Sequence, residues 1–249
     1  MRQLGQMKKS TKNSLFTYTL VIAAFVVVQA LRMGPGVGAM LEGQLIPICA
    51  YIVMALALNL VVGVSGELSL GHAGFMSIGA FAGSALALAL QSTVTLSPLR
   101  LALAMVFGAV IAAALGFLIG IPVLRLNGDY LAIVTLGFGF IIKILAINNP
   151  QITNGAIGLN DIPQQPHLLF WCGLFALLAT GMILQLVWSK YGRMMKAIRD
   201  DEDAAIAMGV NTFRIKTCAF ATSAFFEGIG GGLLASLLTT ISPGLFDFM

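Results

Sequence analysis

Charge is what this chain lacks. Only 10% of its 249 residues are Asp, Glu, Lys or Arg, 58% are hydrophobic, and the mean hydropathy is +0.94. Soluble domains carry about 25% charged residues, so this composition cannot clothe a water-facing surface. Alternating ten-residue segments are also missing, which excludes a membrane barrel. What is present instead is a series of apolar runs near the roughly 20 residues a helix needs to cross the hydrocarbon core. The expected fold class is an all-α polytopic membrane protein of about seven transmembrane helices.

Other absences narrow the chemistry. The three cysteines, Cys49, Cys172 and Cys218, form no CxxC and no metal spacing, so they read as small packing residues with no metal or cofactor expected. No GxxxxGK[ST] loop occurs, so this chain is not an ATP-hydrolysing part. An intramembrane enzyme needs convergent His, Asp, Ser or Cys residues, whereas the two histidines, His72 and His167, fall at or near opposite membrane faces. The net charge of +4 comes from bases spread over the loops between spans, the pattern of the positive-inside rule, so no nucleic-acid partner is read from it.

Candidate spans cover residues 14–31, 45–64, 69–90, 100–121, 130–147, 168–190 and 214–239, in one permease-like unit 14–249 after a cytoplasmic tail 1–13. With the N-terminus inside, Arg2, Lys8, Lys9, Lys12, Arg125 and the six bases from Lys190 to Lys216 are cytoplasmic. Arg32 and Arg100 alone lie outside, and eleven against two sets the orientation. The first span resembles a signal peptide, but its length favours an uncleaved helix. Trp171 and Trp188 bracket the sixth span at about 25 Å, a fitting distance between interfacial aromatic belts. The longest outer loop, 148–167, is rich in turn formers and reads either as a solvated connector or as a docking surface.

The cytoplasmic loop 191–213 concentrates the charge that is missing elsewhere. Arg193, Lys196 and Arg199 precede four acids, Asp200, Asp201, Glu202 and Asp203. As one helix this order puts each base N-terminal to its acid, the poorer arrangement. A break at 199–201 reverses the reading. The bases then close the sixth span's helix, Asp200 or Asp201 caps a new one, and Glu202 and Asp203 fill its acidic first turn. Gly209 ends it in the left-handed conformation with Val210 behind, and Asn211 or Thr212 caps the next span. The result is a two-turn helix over 201–208, too short to be stable alone in water. Ala204, Ala205 and Met208 give it a small apolar face, either to lie on its own protein or to plug a partner's groove.

Asp203-Ala204-Ala205, three residues and Gly209 resemble the EAA-x-x-x-G loop of ABC importer permeases, with Asp for Glu. LALNLVVGVSGELSLGHAGFMSIGAF (56–81), GDYLAIVTLGFGFIIKI (128–144) and ISPGLF (241–246) are similar to the membrane subunit of branched-chain amino acid importers and the related urea and amide importers. The resemblance implies a coupling helix that docks on cytoplasmic ABC ATPase subunits through Arg199, Asp200, Glu202, Asp203, Ala204, Ala205, Met208 and Gly209. It also implies a homologous second permease subunit, an extracytoplasmic substrate-binding protein and a place in the bacterial inner membrane. Three departures stand out. The family continues past ISPxxF, so a chain ending at Met249 reads as truncated or shortened; Phe140 replaces an expected acid; Glu227 stands where Ala is usual. A stand-alone channel or secondary transporter is the alternative, and it would call for a midplane site within one chain, often with repeated halves.

Two intramembrane features complete the reading. Ser69, Gly71, His72, Gly74, Gly79 and Gly83, with Gly137 and Gly139, are small or polar positions suited to close helix packing along the pathway. Ser65, Gly66 and Ser69 point to a broken or re-entrant segment near 65–75, with Glu67 and His72 at a bend or helix start. Lys143 and Glu227 lie about 16 to 20 Å up their spans, where an isolated charge is costly, so they read either as an ion pair or as a Lys143 that snorkels outward and a Glu227 that is protonated or faces a water-filled cavity.

Overall fold

The computed structural model describes residues 19–20, 22–23, 26–27, 39–94, 96–126, 128–163 and 168–246. Apolar runs bounded by glycine, proline and polar turn residues form its helices. They are α1 (Ala39–Asn59), extended by a π-helical turn (Leu60–Ser65), α2 (His72–Ala89), α3 (Ser97–Val123), α4 (Asp129–Ile147) and the single turn α5 (Pro150–Thr153). After these come α6 (Leu168–Trp188), α7 (Lys190–Asp200), α8 (Glu202–Ala207) and α9 (Thr212–Leu238), then a 3-10 turn (Pro243–Phe246). Among the described residues six helices are long and apolar enough to cross a membrane, so the chain is an all-α multi-pass membrane protein. The expected first span 14–31, the tail 1–13 and His167 lie outside the described residues, apart from the few helical positions between 19 and 27.

Helix α9 is the axis of the bundle. Its most apolar window is 78% buried, against 22% for α4, because α1, α2 and α3 all pack around it. Close approach is possible because both sides are glycine. A Cβ on Gly79 would overlap the backbone of Gly228, and one on Gly231 would overlap the Met76 carbonyl. In lipid, where apolar burial gives no drive between helices, such contact supplies the dispersion that holds them. Phe75 and Phe220 add an edge-to-face pair at 5.4 Å. Helix α4 lies outside this axis, against α2, and presents Ile133, Ile141, Ile144 and Leu145 to the surroundings.

One helix boundary differs from the sequence reading. The bases expected to close the sixth span belong to a separate helix, α7. Ser189 has an extended backbone (φ −72°, ψ −178°) and its Oγ accepts from Tyr191 N, so it ends α6 and caps the next helix. The segment expected to be broken near 65–75 is non-helical over residues 66–71. The loop after α4 is folded rather than loose: Leu159 and Ile241 pair as an antiparallel bridge, and Ile162 N donates to the Thr239 carbonyl at 3.0 Å.

Candidate functional site

The charge-rich loop folds as the order of its charges requires. Asp201 is extended (φ −160°, ψ 109°), and its carboxylate accepts from Ala204 N at 3.0 Å, capping α8. Glu202 and Asp203 occupy the first turn, where the helix dipole favours negative charge. At the other end Gly209 is left-handed (φ +82°). Val210 N donates to the Ala205 carbonyl at 3.0 Å and Gly209 N to the Ile206 carbonyl at 2.9 Å, which is the Schellman termination. Asn211 accepts from Arg214 N and caps α9.

Six residues do not hold a helix in water, so α8 depends on packing. Ala205 is only 4% exposed and sits among Leu60, Val64, Met195, Ile198, Ile215 and Ala219, with Val210 at the rim. Ile206 is 54% exposed and Met208 84%, and Asp203, Ala204 and Ala207 are exposed beside them. The expected single face of Ala204, Ala205 and Met208 is therefore divided. Ala205 lies on its own protein, and Met208, Ile206 and Ala204 point away. Residues 205 and 208 would share a face in a continuous helix, but the helix ends at Ala207, and the cap and Schellman turn swing Met208 outward.

Two side chains tie this loop to the linker 63–67. Arg199 Nη1 donates to the Gly63 carbonyl at 2.8 Å, while Nε and Nη2 hold Asp200 Oδ1 at 3.2 and 3.0 Å. A guanidinium at the C-terminal end of the π-turn satisfies a free carbonyl and meets the negative end of its dipole. Gly66 is required there twice over, by φ +80° and because a Cβ would lie 2.5 Å from Arg199 Cγ. Lys216 Nζ, near the start of α9, bridges Glu67 Oε1 at 2.7 Å and Glu202 Oε2 at 2.8 Å. The sequence reading did not single out Lys216. Its only signal was a lysine four residues into an apolar span, opposite acids whose place in space depends on the fold.

Above this cluster the linker climbs into the bundle. Leu70 N donates to Thr135 Oγ1 at 3.0 Å, and Ser69 Oγ hydrogen-bonds His72 Nδ1 at 3.0 Å. His72 Nε2 lies 3.1 Å from Glu227 Oε1, close enough for an electrostatic contact but misaligned for a hydrogen bond. Ser223 Oγ is 2.7 Å from the Ala57 carbonyl and 3.0 Å from Glu227 Oε1, so two acceptors compete for one hydroxyl proton. Glu227 Oε2 and Ser65 Oγ are buried without a hydrogen-bond partner. The expected Lys143–Glu227 ion pair does not form: His72 takes the place beside Glu227. Lys143 lines a small crevice with Leu70, Gly139, Phe140 and Phe246. The physical reason is azimuth. Equal height on two helices does not make them face one another, and α4 packs on α2 rather than on α9.

The small residues divide likewise. Gly71, Gly74, Gly79 and Gly83 each meet a neighbouring backbone or side chain where a Cβ would stand: Thr135, Ile142, Gly228 and Ala104 respectively. Gly139 is near Gly71, but Gly137 faces open space and packs nothing. Among the described residues no group of three His, Cys, Asp or Glu could hold a metal ion. The arrangement is a short exposed helix whose N-terminal end is tied by charge to a linker that leads into the membrane core.

A family model described as "Branched-chain amino acid transport system / permease component" matches residues 40–249. The "High-affinity branched-chain amino acid transport system permease protein LivM" of Salmonella typhimurium and its Escherichia coli counterpart are each 36% identical, over 80% of this chain and 53% of their own length. A "Probable branched-chain amino acid transport permease protein LivM" of Methanocaldococcus jannaschii is 28% identical over 54% of the chain and 43% of its own length. The chain thus spans about half the length of the curated relatives it matches. No solved structure matches it.

Proposed function

Since the chain belongs to the branched-chain amino acid transport system permease family, we propose that it acts as a membrane subunit of an ABC importer for branched-chain or similar amino acids. It forms the path with a homologous second permease subunit, receives substrate from an extracytoplasmic binding protein, and sits in the bacterial inner membrane with its N-terminus in the cytoplasm. Separate ATPase subunits supply the energy.

The observation that carries this reading is α8. It is capped at both ends, docked from behind through Ala205, and left with Ile206 and Met208 exposed in front. Exposed apolar residues on a rigid two-turn helix suit the helix-in-groove mode of recognition. Asp203, Ala204, Ile206, Met208 and Gly209 form the docking edge. Arg199, Asp200 and Glu202 connect that edge to the linker 63–67, so a push on α8 reaches Gly63 through Arg199, and Glu67 through Lys216. Ser69, Gly71, His72, Gly74, Gly79, Gly83 and Gly139 carry the displacement onward at the packed start of α2. A partner drives such a change only by binding one position of α8 better than another.

The test is co-purification with the cell's candidate ABC ATPases. Met208→Arg and Ile206→Arg place a charge at the centre of the docking edge and lower the ATPase recovered by roughly tenfold or more, the size of a lost interface anchor. Ala205→Ser changes a side chain facing inward and leaves recovery near wild type. Equal recovery with all three variants defeats the reading.

A further inference from the structure

Helix α1 changes its winding before it ends. Over Leu60–Ser65 it is a π-helical turn, which takes one more residue into each hydrogen-bonded ring than the α form. No proline lies in the segment LVVGVS to force this. The turn is held from outside instead, by Arg199 Nη1 on the Gly63 carbonyl at 2.8 Å. It also leaves a group unsatisfied. The Val61 carbonyl accepts from the amides of Gly66 and Glu67, and Ser65 Oγ is buried with no hydrogen-bond partner. An α-helical turn would bring the Val61 carbonyl, four residues back, within reach of that hydroxyl. The two faces of the turn belong to different cores. Val61 packs with Phe75, Leu131 and Phe220 in the bundle, whereas Leu60 and Val64 pack with Met195, Ile198 and Ala205 beneath α8.

From this we infer that Leu60–Ser65 is a two-register switch, π-helical while α8 is seated and α-helical when α8 lifts, with Arg199 as its latch. Winding to the α form hands one residue to the linker 66–71, at most about 3.5 Å of chain. It also turns the residues after Leu60 by about 100°, which takes Val64 out from under Ala205. The switch thereby couples the seat of α8 to the slack in the linker, and each register favours one position of α8. Its use in import rests on α8 being the helix that docks an ATPase; the existence of two registers does not.

Ser65–Gly66 is the one Ser–Gly step in the sequence. Serine labelled at its carbonyl carbon and glycine at its nitrogen therefore isolate the Gly66 amide in the magnetic resonance spectrum of the full chain in micelles. Wild type gives one dominant signal, from the amide bonded to the Val61 carbonyl. Arg199→Gln raises a second signal about tenfold relative to the first, the effect of one hydrogen bond from a charged group. Adding Ser65→Ala lowers it again about fivefold, since the α turn loses the bond its hydroxyl would make. Arg193→Gln, an exposed base on the same helix, leaves the ratio unchanged. Deleting Val62 takes out the extra residue, and the signal then ignores Arg199→Gln. A Gly66 signal unmoved and unsplit by Arg199→Gln overturns the switch, and so does a second signal that Ser65→Ala does not reduce. A folded deletion variant that still responds to Arg199→Gln overturns it too; if the deletion prevents folding, the point variants decide alone. The signals are read on the chain by itself, so they stand or fall apart from the recovery of ATPases.

Discussion

The linker 66–71, with His72 just beyond it at the start of α2, meets α9 through two polar contacts, one at each end, and they are built differently. At the lower end Lys216 is enclosed by two carboxylates, Glu67 and Glu202, at 2.7 and 2.8 Å. At the upper end His72 faces a single buried acid, Glu227, at 3.1 Å, with one carboxylate oxygen left unpaired and one serine proton sought by two acceptors. The upper contact is enclosed by the bundle, and in the lower one Lys216 and Glu67 are enclosed while Glu202 is partly open to water. The lower cluster satisfies its charges by position; the upper satisfies few of its hydrogen-bonding atoms. A fully paired buried charge fixes geometry and is expensive to break, whereas a partly paired one is cheap to rearrange. The contrast suits a linker anchored at the α8 end and free to shift where it enters the membrane core.

The largest effect expected follows from removing the lower anchor. Lys216→Met leaves Glu67 and Glu202 facing each other with no cation between them, at a cost of about 3 kcal/mol. Denaturant unfolding in mixed micelles reads this as a lowered midpoint. Adding Glu67→Gln removes half of the uncompensated charge and restores part of the loss, because the two sites share a partner. If Lys216→Met unfolds at the wild-type midpoint, the lower cluster is not an anchor and the contrast between the two ends disappears.

The parts of the fold that local chemistry specifies were legible in the sequence. Asp201, Gly209 and Asn211 act on their own backbone within three or four residues, so the order of charges from Arg193 to Asp203 was enough to place α8. The break at 66–71 was legible for the same reason, from Ser65, Gly66 and Ser69. Ser189 was missed because a serine cap inside a run of otherwise helical residues looks like one more helical position. The partner of Glu227 was missed for a different reason. Height along a helix can be counted at 1.5 Å per residue, but which face meets which neighbour is decided by packing. Gly79 against Gly228 brings α2 to α9, and only then does His72 reach Glu227. Lys216 is the same case: its acids are 149 and 14 residues away in the chain, as the difference of the numbers Glu67, Glu202 and Lys216 shows.

The upper contact sets the middle of the scale. Glu227→Ala removes a fully buried side chain, opens a small cavity and leaves His72 without its neighbour, an expected loss of about 2 kcal/mol. Glu227→Gln keeps the shape and one acceptor and costs about 1 kcal/mol or less, since an amide also serves Ser223. The same unfolding assay distinguishes them. A loss for Glu227→Gln as large as that for Lys216→Met shows the upper pair to be as firmly anchored as the lower.

The smallest change isolates the shared proton. Ser223→Ala removes the hydroxyl between the Ala57 carbonyl and Glu227 while leaving both acceptors in place. The Ala57 carbonyl keeps its helical position, so the net cost is that of one buried hydrogen bond, about 1 kcal/mol. Combining Ser223→Ala with Glu227→Ala, which removes the acceptor that a glutamine would keep, decides which acceptor holds the proton. If the hydroxyl serves Ala57, the two losses add; if it serves Glu227, the double variant loses less than the sum, because one bond is counted twice. Adding losses mean that nothing but His72 engages the Glu227 carboxyl, and the upper contact is then the looser end of the linker by one more hydrogen bond.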